Sequence, residues 1–399
     1  MAFLNRHSPP NIITLVLVSG LAALSMNVFL PSLTGMAQHF GVDYAVMQLA
    51  VSAYLGVSAL LQLVIGPISD RFGRRRVLIA VYAIFTLASL GTLLAPSAET
   101  FLAARFAQAV IATSFVLSRA AVRDMFPGPE AASMIGYVTM GMALVPMVGP
   151  VVGGFLDVTF GWRASFLLLF VLGALTLALV WADLGETLSA GGVPFRDQLA
   201  GYPVLLRSHR FWGYSLSAAL ASAVYFAYLG GAPFVGAQVF GLSPAEVGYF
   251  FAVPAGGYVI GNFLSGRFAT RLGMDRMVLI GALFATAILA LSLAAEAAGL
   301  HHPVLFFGTV GLTSIGNGLS LPSANAGLMT VRPELAGTAS GLGATLTIGG
   351  GAIASSVAGL ILGPGTGALP LVVLMAACSA GSVAAIGWVH LRRRRVLGI

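Results

Sequence analysis

The sequence predicts an all-α membrane protein of twelve transmembrane helices in two pseudo-symmetric six-helix bundles. Three observations carry this reading. First, 58% of the 399 residues are hydrophobic and only 8% are charged, against about 25% charged in soluble domains. A water-facing surface for so long a chain cannot be built from 20 basic and 13 acidic side chains. That excludes a soluble enzyme, and the apolar content excludes disorder. Second, the apolar residues fall into twelve runs, each long enough for the roughly 20 residues that cross about 30 Å of hydrocarbon as a helix. The runs are continuous rather than alternating, which argues against transmembrane strands. Third, the chain repeats itself at half its length.

Spans 1 to 6 lie at 11–35, 44–68, 77–95, 99–122, 132–156 and 164–182. Spans 7 to 12 lie at 211–237, 244–266, 277–297, 302–328, 336–361 and 368–391. The polar interval 183–210 holds Asp183, Glu186, Arg196, Asp197, Arg207 and Arg210. It is the longest loop, and it joins an N-terminal bundle over 1–182 to a C-terminal bundle over 211–399. The first run reaches about Gly35. That is too long for a signal-peptide core of roughly 7–15 residues, and no good cleavage site follows, so it reads as a retained span.

Orientation follows from arginine. The formal charge is +7, and every basic residue is Arg. With both termini on one side, that side holds 17 of the 20: Arg6, Arg71, Arg74, Arg75, Arg76, Arg123, Arg196, Arg207, Arg210, Arg267, Arg271, Arg276, Arg332 and Arg392 to Arg395. The opposite side holds Arg163, and Arg105 and Arg119 lie within span 4. Excess Arg marks the cytoplasmic side, so both termini and the central loop are expected in the cytoplasm. The positive balance thus reports topology, and no nucleic-acid partner is expected. Richness in Gly and Ala without Lys fits a GC-rich bacterial genome, hence a bacterial inner membrane. Cys378 is the only cysteine, which excludes an intrachain disulfide and a cysteine metal cluster.

The repeat emerges when residues 40–76 are laid over 240–276 without a gap. Phe40, Gly41, Ala45, Gly56, Gly66, Arg71, Gly73 and Arg76 meet identical residues at Phe240, Gly241, Ala245, Gly256, Gly266, Arg271, Gly273 and Arg276. Two parallel six-span halves are the organisation of secondary transporters, with the substrate near the midplane between them.

Motifs narrow the class. Span 2 ends Gly66-Pro67-Ile68-Ser69-Asp70-Arg71-Phe72-Gly73-Arg74-Arg75-Arg76. This closely resembles the loop 2–3 signature of the major facilitator superfamily. Further segments are Asn27-Val28-Phe29-Leu30-Pro31 in span 1, Arg105-Phe106-Ala107-Gln108 in span 4, and Gly149-Pro150-Val151-Val152-Gly153-Gly154 in span 5. Together these resemble the twelve-span drug:proton antiporters, specifically the bicyclomycin/chloramphenicol resistance (Bcr/CflA) group. The resemblance is best over residues 15–185. It implies the major facilitator fold, and it implies a conformational latch in which Asp70, Arg74 and Asp124 form a charge network near the start of span 11. Gly66, Arg71, Gly73 and Arg123 are the expected neighbours. It also implies a gate hinge at Pro146, Gly149, Pro150, Gly153 and Gly154, and a functional role for Arg105 in binding substrate or responding to the proton.

At 100° per residue, Arg105, Gln108, Arg119 and Arg123 fall within about a 60° arc of span 4. A buried Arg in a span lines a watery path or pairs internally. One departure from the family matters: many relatives carry Asp at the start of the span-1 pattern, whereas this chain has Asn27, which cannot titrate. The thirteen acids all fall near the ends of spans or in loops, so proton coupling must use a carboxylate nearer an end or another route; Asp43, Asp157 and Asp124 are candidates. A cavity holding Arg105 and no acid should disfavour cations and suit neutral or anionic molecules. The expected substrate contacts are Asn27, Tyr54, Arg105, Gln108, Met142, Tyr225, Phe226, Tyr258 and Asn317. Their aromatic and Met side chains adapt to varied apolar ligands.

The expected function is proton-coupled efflux of small amphipathic drugs by alternating access. The partners would be a small-molecule substrate, protons and the lipid bilayer, and the protein would act as a monomer. A dedicated exporter or importer of one metabolite, such as an organic acid, is the alternative. The repeat and loop signatures argue against a membrane receptor or channel. No nucleophile motif, phosphate loop or metal constellation points to an enzyme, and no cofactor or metal is expected. The pair His301-His302 reads as an ordinary outer loop.

Overall fold

The computed structural model describes residues 4, 9–126, 134, 138, 145, 148–188, 202–332 and 335–397. Among these residues the chain is helical and without strands. Among the described residues, eleven helices are long and apolar enough to cross a membrane, and the shorter apolar helix Val148–Phe160 lies at the place of span 5. The surface suits lipid rather than water. Leu87, Phe160 and Leu360 are each at least 70% exposed, and polar groups are gathered inside or at the helix ends.

Helix boundaries follow local chemistry. The Asn11 side chain accepts a hydrogen bond from Ile13 N at 3.0 Å and starts the helix Ile12–Asn27 of span 1. Span 1 then passes through a 3-10 turn, Leu30–Ser32, where Pro31 costs no needed N–H, and ends as Leu33–Phe40. A capping box of Ser97 and Thr100 opens span 4. Span 4 is interrupted: Ala98–Gln108 is followed by a 3-10 segment, Ala109–Thr113, and then by Ser114–Met125.

The repeat has a physical counterpart at the same offset of 200. Tyr44–Phe72 (span 2) and Pro244–Leu272 (span 8) are both helices of 29 residues. Gly41 and Gly241 precede them at φ 64° and 66°, and Gly73 and Gly273 end them at φ 90° and 81°. Only glycine takes such angles without strain.

The chain falls into two compact units, Met1–Phe195 with Ser243–Tyr249, and Arg196–Leu242 with Phe250–Ile399. In the first, span 3 (Arg74–Leu94) packs on span 6 (Arg163–Asp183) and on span 4. The Tyr82 hydroxyl donates to Val18 O at 2.6 Å, tying span 3 to span 1. Phe29, Phe101, Trp162 and Phe166 form an aromatic cluster with centroids 5.2–5.9 Å apart. Asp183, the last residue of span 6, is fully buried. It accepts from Asn11 N at 3.0 Å, Thr14 Oγ1 at 2.6 Å and Leu4 N at 2.6 Å. A carboxylate at a helix N-terminus is favoured by the dipole and by the unfilled amides there. Asp183→Ala would strand these donors, at about 1–3 kcal/mol for each that stays dry. The expected result is a lower unfolding temperature in detergent, with Asp183→Asn intermediate. An unchanged temperature would mean that span 1 is anchored elsewhere.

In the second unit, span 7 (His209–Phe234, then a π turn over Val235–Val239) packs on spans 11 (Ala336–Ile361) and 12 (Leu369–Leu397). Span 9 (Met274–Ala297) lies along span 10 (Pro303–Met329). Glycines set this second contact. A Cβ on Gly281 would strike the Gly316 carbonyl, and one on Gly316 would strike the Gly281 carbonyl. Gly257 and Gly261 meet the span-10 backbone as closely. Small residues allow such approach where hydrophobicity gives no drive between helices.

Candidate functional site

Arg105 is the centre of a polar node sealed inside the first unit. Its exposure is 0%. The guanidinium donates from Nε to Ala50 O (3.2 Å), from Nη1 to Ser25 Oγ (3.1 Å) and Gln108 Oε1 (2.9 Å), and from Nη2 to Ser25 O (2.8 Å). Its carbon lies 4.5 Å from the Phe29 centroid and 4.0 Å from that of Tyr54. Gln108 passes the connection on, donating to Ser89 Oγ at 2.8 Å. Spans 1, 2, 3 and 4 therefore meet at one cation whose observed partners are all neutral. Asn27 stands on span 1 at 4% exposure. It donates to Ala23 O at 2.7 Å, while its Oδ1 has no partner among the described residues. Gly149 packs beside it: a Cβ there would lie 3.5 Å from Asn27 Cβ and 3.3 Å from Leu24 Cδ1. One turn further, a Cβ on Gly153 would collide with the Val28 carbonyl. The glycines of span 5 thus permit close contact with span 1 at Asn27 and Val28.

Span 4 does not keep its four polar residues on one face. Arg105 and Gln108 are buried, whereas Arg119 and Arg123 are exposed. The cause is the 3-10 segment. Five residues at 120° rather than 100° turn the rest of the span by about 100°.

In the second unit, Asn317 donates to Ala221 O at 3.2 Å, joining span 10 to span 7. Tyr225 and Phe226 lie in ring contact, with centroids 5.9 Å apart. A Cβ on Gly351 would strike the Phe226 ring. Tyr258 is half-buried, and its carbonyl accepts from Asn262 Nδ2 at 2.8 Å. Tyr228, which sequence reasoning did not select, is fully buried against Phe251 and Phe307. Met142 and Pro146 lie outside the described residues.

The third assembly is at the Arg-rich end of the first unit. Arg74 Nη2 lies 2.6 Å from Asp70 Oδ1, and its Nε lies 3.2 Å from Asp124 Oδ2. Its Nη1 donates to Ser69 Oγ, whose hydroxyl donates to Gly66 O at 2.8 Å. Arg74 is 8% exposed and the two carboxylates 20% and 21%. Such pairs gain about 4 kcal/mol each at an effective dielectric near 20, and desolvation takes most of it back. The net is small enough for the contact to open and close reversibly. Arg71 does not join the cluster; its guanidinium lies 5.4 Å from the Phe72 ring centroid. Arg123 is exposed. Ser69, Glu186 and Thr187, to which the sequence reading gave no part in the latch, take part: Glu186 accepts from the Arg74 backbone and Thr187 donates to Asp124.

In the loop between spans 9 and 10, His301 and His302 turn to different tasks. His301 Nδ1 lies 2.8 Å from Glu296 Oε2, and His302 Nδ1 caps span 10 by accepting from Val304 N.

A cation enclosed among spans and an ion-pair cluster where spans 2, 3 and 4 end accord with what the family comparison shows, a multi-pass membrane transporter acting on small molecules and not an enzyme. The sequence model of the Major Facilitator Superfamily matches residues 15–356, and the chain belongs to that superfamily, in its bicyclomycin/chloramphenicol resistance group. It is 31% identical to the chloramphenicol resistance protein of Pseudomonas aeruginosa, over 88% of this chain and 84% of that one. It is 29% identical to the bicyclomycin resistance protein homolog of Haemophilus influenzae, over 94% of each. Among solved structures, it resembles a bacterial homolog of the human lysosomal transporter Spinster in its inward-facing, occupied conformation. There the TM-score is 0.74 at 20% identity, over 96% of each chain, a likeness of fold.

Proposed function

We propose that this chain is a proton-coupled exporter of small amphipathic drugs, neutral or anionic, working by alternating access. In this reading it is a monomer in a bacterial inner membrane with both termini cytoplasmic, and its two six-span halves move about a central substrate. Asn27, Tyr54, Arg105 and Gln108 contribute from the first half, and Tyr225, Phe226, Tyr258 and Asn317 from the second. Gly66, Asp70, Gly73, Arg74 and Asp124 form the latch, and Gly149, Pro150, Gly153 and Gly154 the gate hinge. Relatives named for chloramphenicol and bicyclomycin resistance support drug export.

The observation that carries the substrate class is the node around Arg105. A buried guanidinium without a carboxylate partner among the described residues repels cations. On span 1, Asn27 Oδ1, which has no partner among the described residues, can accept a hydrogen bond from a neutral ligand. The same node supports the second reading, a dedicated transporter of one organic anion.

The test is growth of a bacterium lacking its own drug pumps, with the chain expressed, on neutral (chloramphenicol), anionic and cationic antimicrobials. Protection against chloramphenicol and other neutral compounds, and little against cations, is the expected pattern. Asn27→Asp should add protection against cations by supplying a buried carboxylate on span 1. Cation handling unchanged by Asn27→Asp would sink the charge argument. No protection at all, with the protein present in the membrane, would favour the organic-anion transporter.

A further inference from the structure

The segment that leaves span 6 contacts three other helices. Asp183 closes the start of span 1, as described above. Three residues on, Glu186 reaches the start of span 3. Its Oε1 accepts from Arg74 N at 2.8 Å, and its Oε2 accepts from Arg75 N at 3.3 Å. Thr187 Oγ1 donates to Asp124 Oδ2 at 3.3 Å, reaching the end of span 4. Arg75 returns the contact, donating from Nε to Leu184 O at 2.6 Å and from Nη2 to Trp181 O at 2.9 Å. Gly73 leaves room for this docking, since a Cβ there would run into the Glu186 carboxylate.

The chemistry is that of a carboxylate on the unfilled amides of a helix start, where the dipole adds to the hydrogen bonds. Glu186 binds the backbone of Arg74, which leaves the Arg74 guanidinium for other partners. That guanidinium meets Ser69, Asp70 and Asp124 at once, and Asp124 is itself held by Thr187 from the same segment.

We propose that Glu186 is a positioning residue for the loop 2–3 latch: by fixing the first turn of span 3, it holds Arg74 where one guanidinium bridges Asp70 and Asp124. The proposal rests on the latch reading above. Without Glu186, the first turn of span 3 frays, and Arg74 spends less time between the two carboxylates.

The experiment uses the full chain in lipid nanodiscs, in a Cys378→Ser background. Hydrogen–deuterium exchange reads the first turn of span 3, with the matching turn of span 9 at 274–278 as the internal control. Electron–electron resonance between spin labels at Arg76→Cys and Arg276→Cys, both exposed positions, reads the balance of conformations. Glu186→Ala should speed exchange at 74–78 by about fivefold, the size of a lost helix cap, and leave 274–278 unchanged. It should shift the label distances in the same direction as Arg74→Ala, and the double variant should go no further. Glu186→Gln, which keeps an accepting oxygen, should fall between.

Faster exchange with an unmoved distance distribution would make Glu186 a helix cap only and overturn the positioning role. So would additive shifts in the double variant, or exchange that does not change. Arg74→Ala without any shift would instead overturn the latch itself.

Discussion

Arg105→Ala should abolish the export proposed above, bringing chloramphenicol accumulation in expressing cells to that of cells without the protein. The guanidinium uses four of its five N–H donors on Ala50, Ser25 and Gln108 and is held between the rings of Phe29 and Tyr54. An alanine strands the Ser25 carbonyl and the Gln108 oxygen in a dry interior, at about 1–3 kcal/mol for each. It also removes the only charge among those partners. Arg105→Lys separates charge from geometry: it keeps the cation and loses the planar fork that reaches spans 1, 2 and 4 together. We expect Lys to leave the protein folded in the membrane and to recover little export. Full export by Arg105→Ala, with equal protein in the membrane, would remove Arg105 from the mechanism.

The second large effect is structural. Gly316→Val should sharply lower the unfolding temperature and the yield of membrane-inserted protein. Its Cβ would lie 2.9 Å from Ala285 Cβ and against the Gly281 carbonyl. Neither obstacle is the yielding tip of a long side chain. Overpacking a fitted interior costs about 1–3 kcal/mol even where side chains can shift; here the backbones of spans 9 and 10 must separate. Gly266→Ala is the control, because nothing lies within 4 Å of a Cβ there, and its unfolding temperature should match that of the parent. Equal stability of Gly316→Val would mean that the two helices slide apart freely.

The parts of this fold legible in the sequence are those written in local chemistry. Apolar runs give spans because the bilayer admits little else. The 200-residue offset reappears as helices of equal length between glycines at matching angles, since each glycine answers a backbone demand of its own. The residues expected at the latch from family likeness, Asp70, Arg74 and Asp124, lie in one ion-pair cluster. The arc along span 4 failed because five residues of 3-10 geometry are invisible in a pattern read at a constant 100°. The capping roles of Asp183 and Glu186 escaped notice for another reason. Their partners lie more than 100 residues away in sequence, and nothing local distinguishes an acid that caps a distant helix from one that merely faces solvent. Ser25 was missed similarly, as one hydroxyl in an apolar run.

The neutrality of the partners around Arg105 has an electrical consequence. A cation paired with a carboxylate moves through a membrane field as a dipole, and the field does little net work on it. A cation held by carbonyls, a hydroxyl, an amide and two aromatic faces moves as a whole charge, at about 2.3 kcal/mol per 100 mV for a complete crossing. Any step that carries the first unit's polar node along the field would draw on the membrane potential in proportion to the distance moved. Such a chain would turn over at a rate set by voltage even with equal pH on both sides.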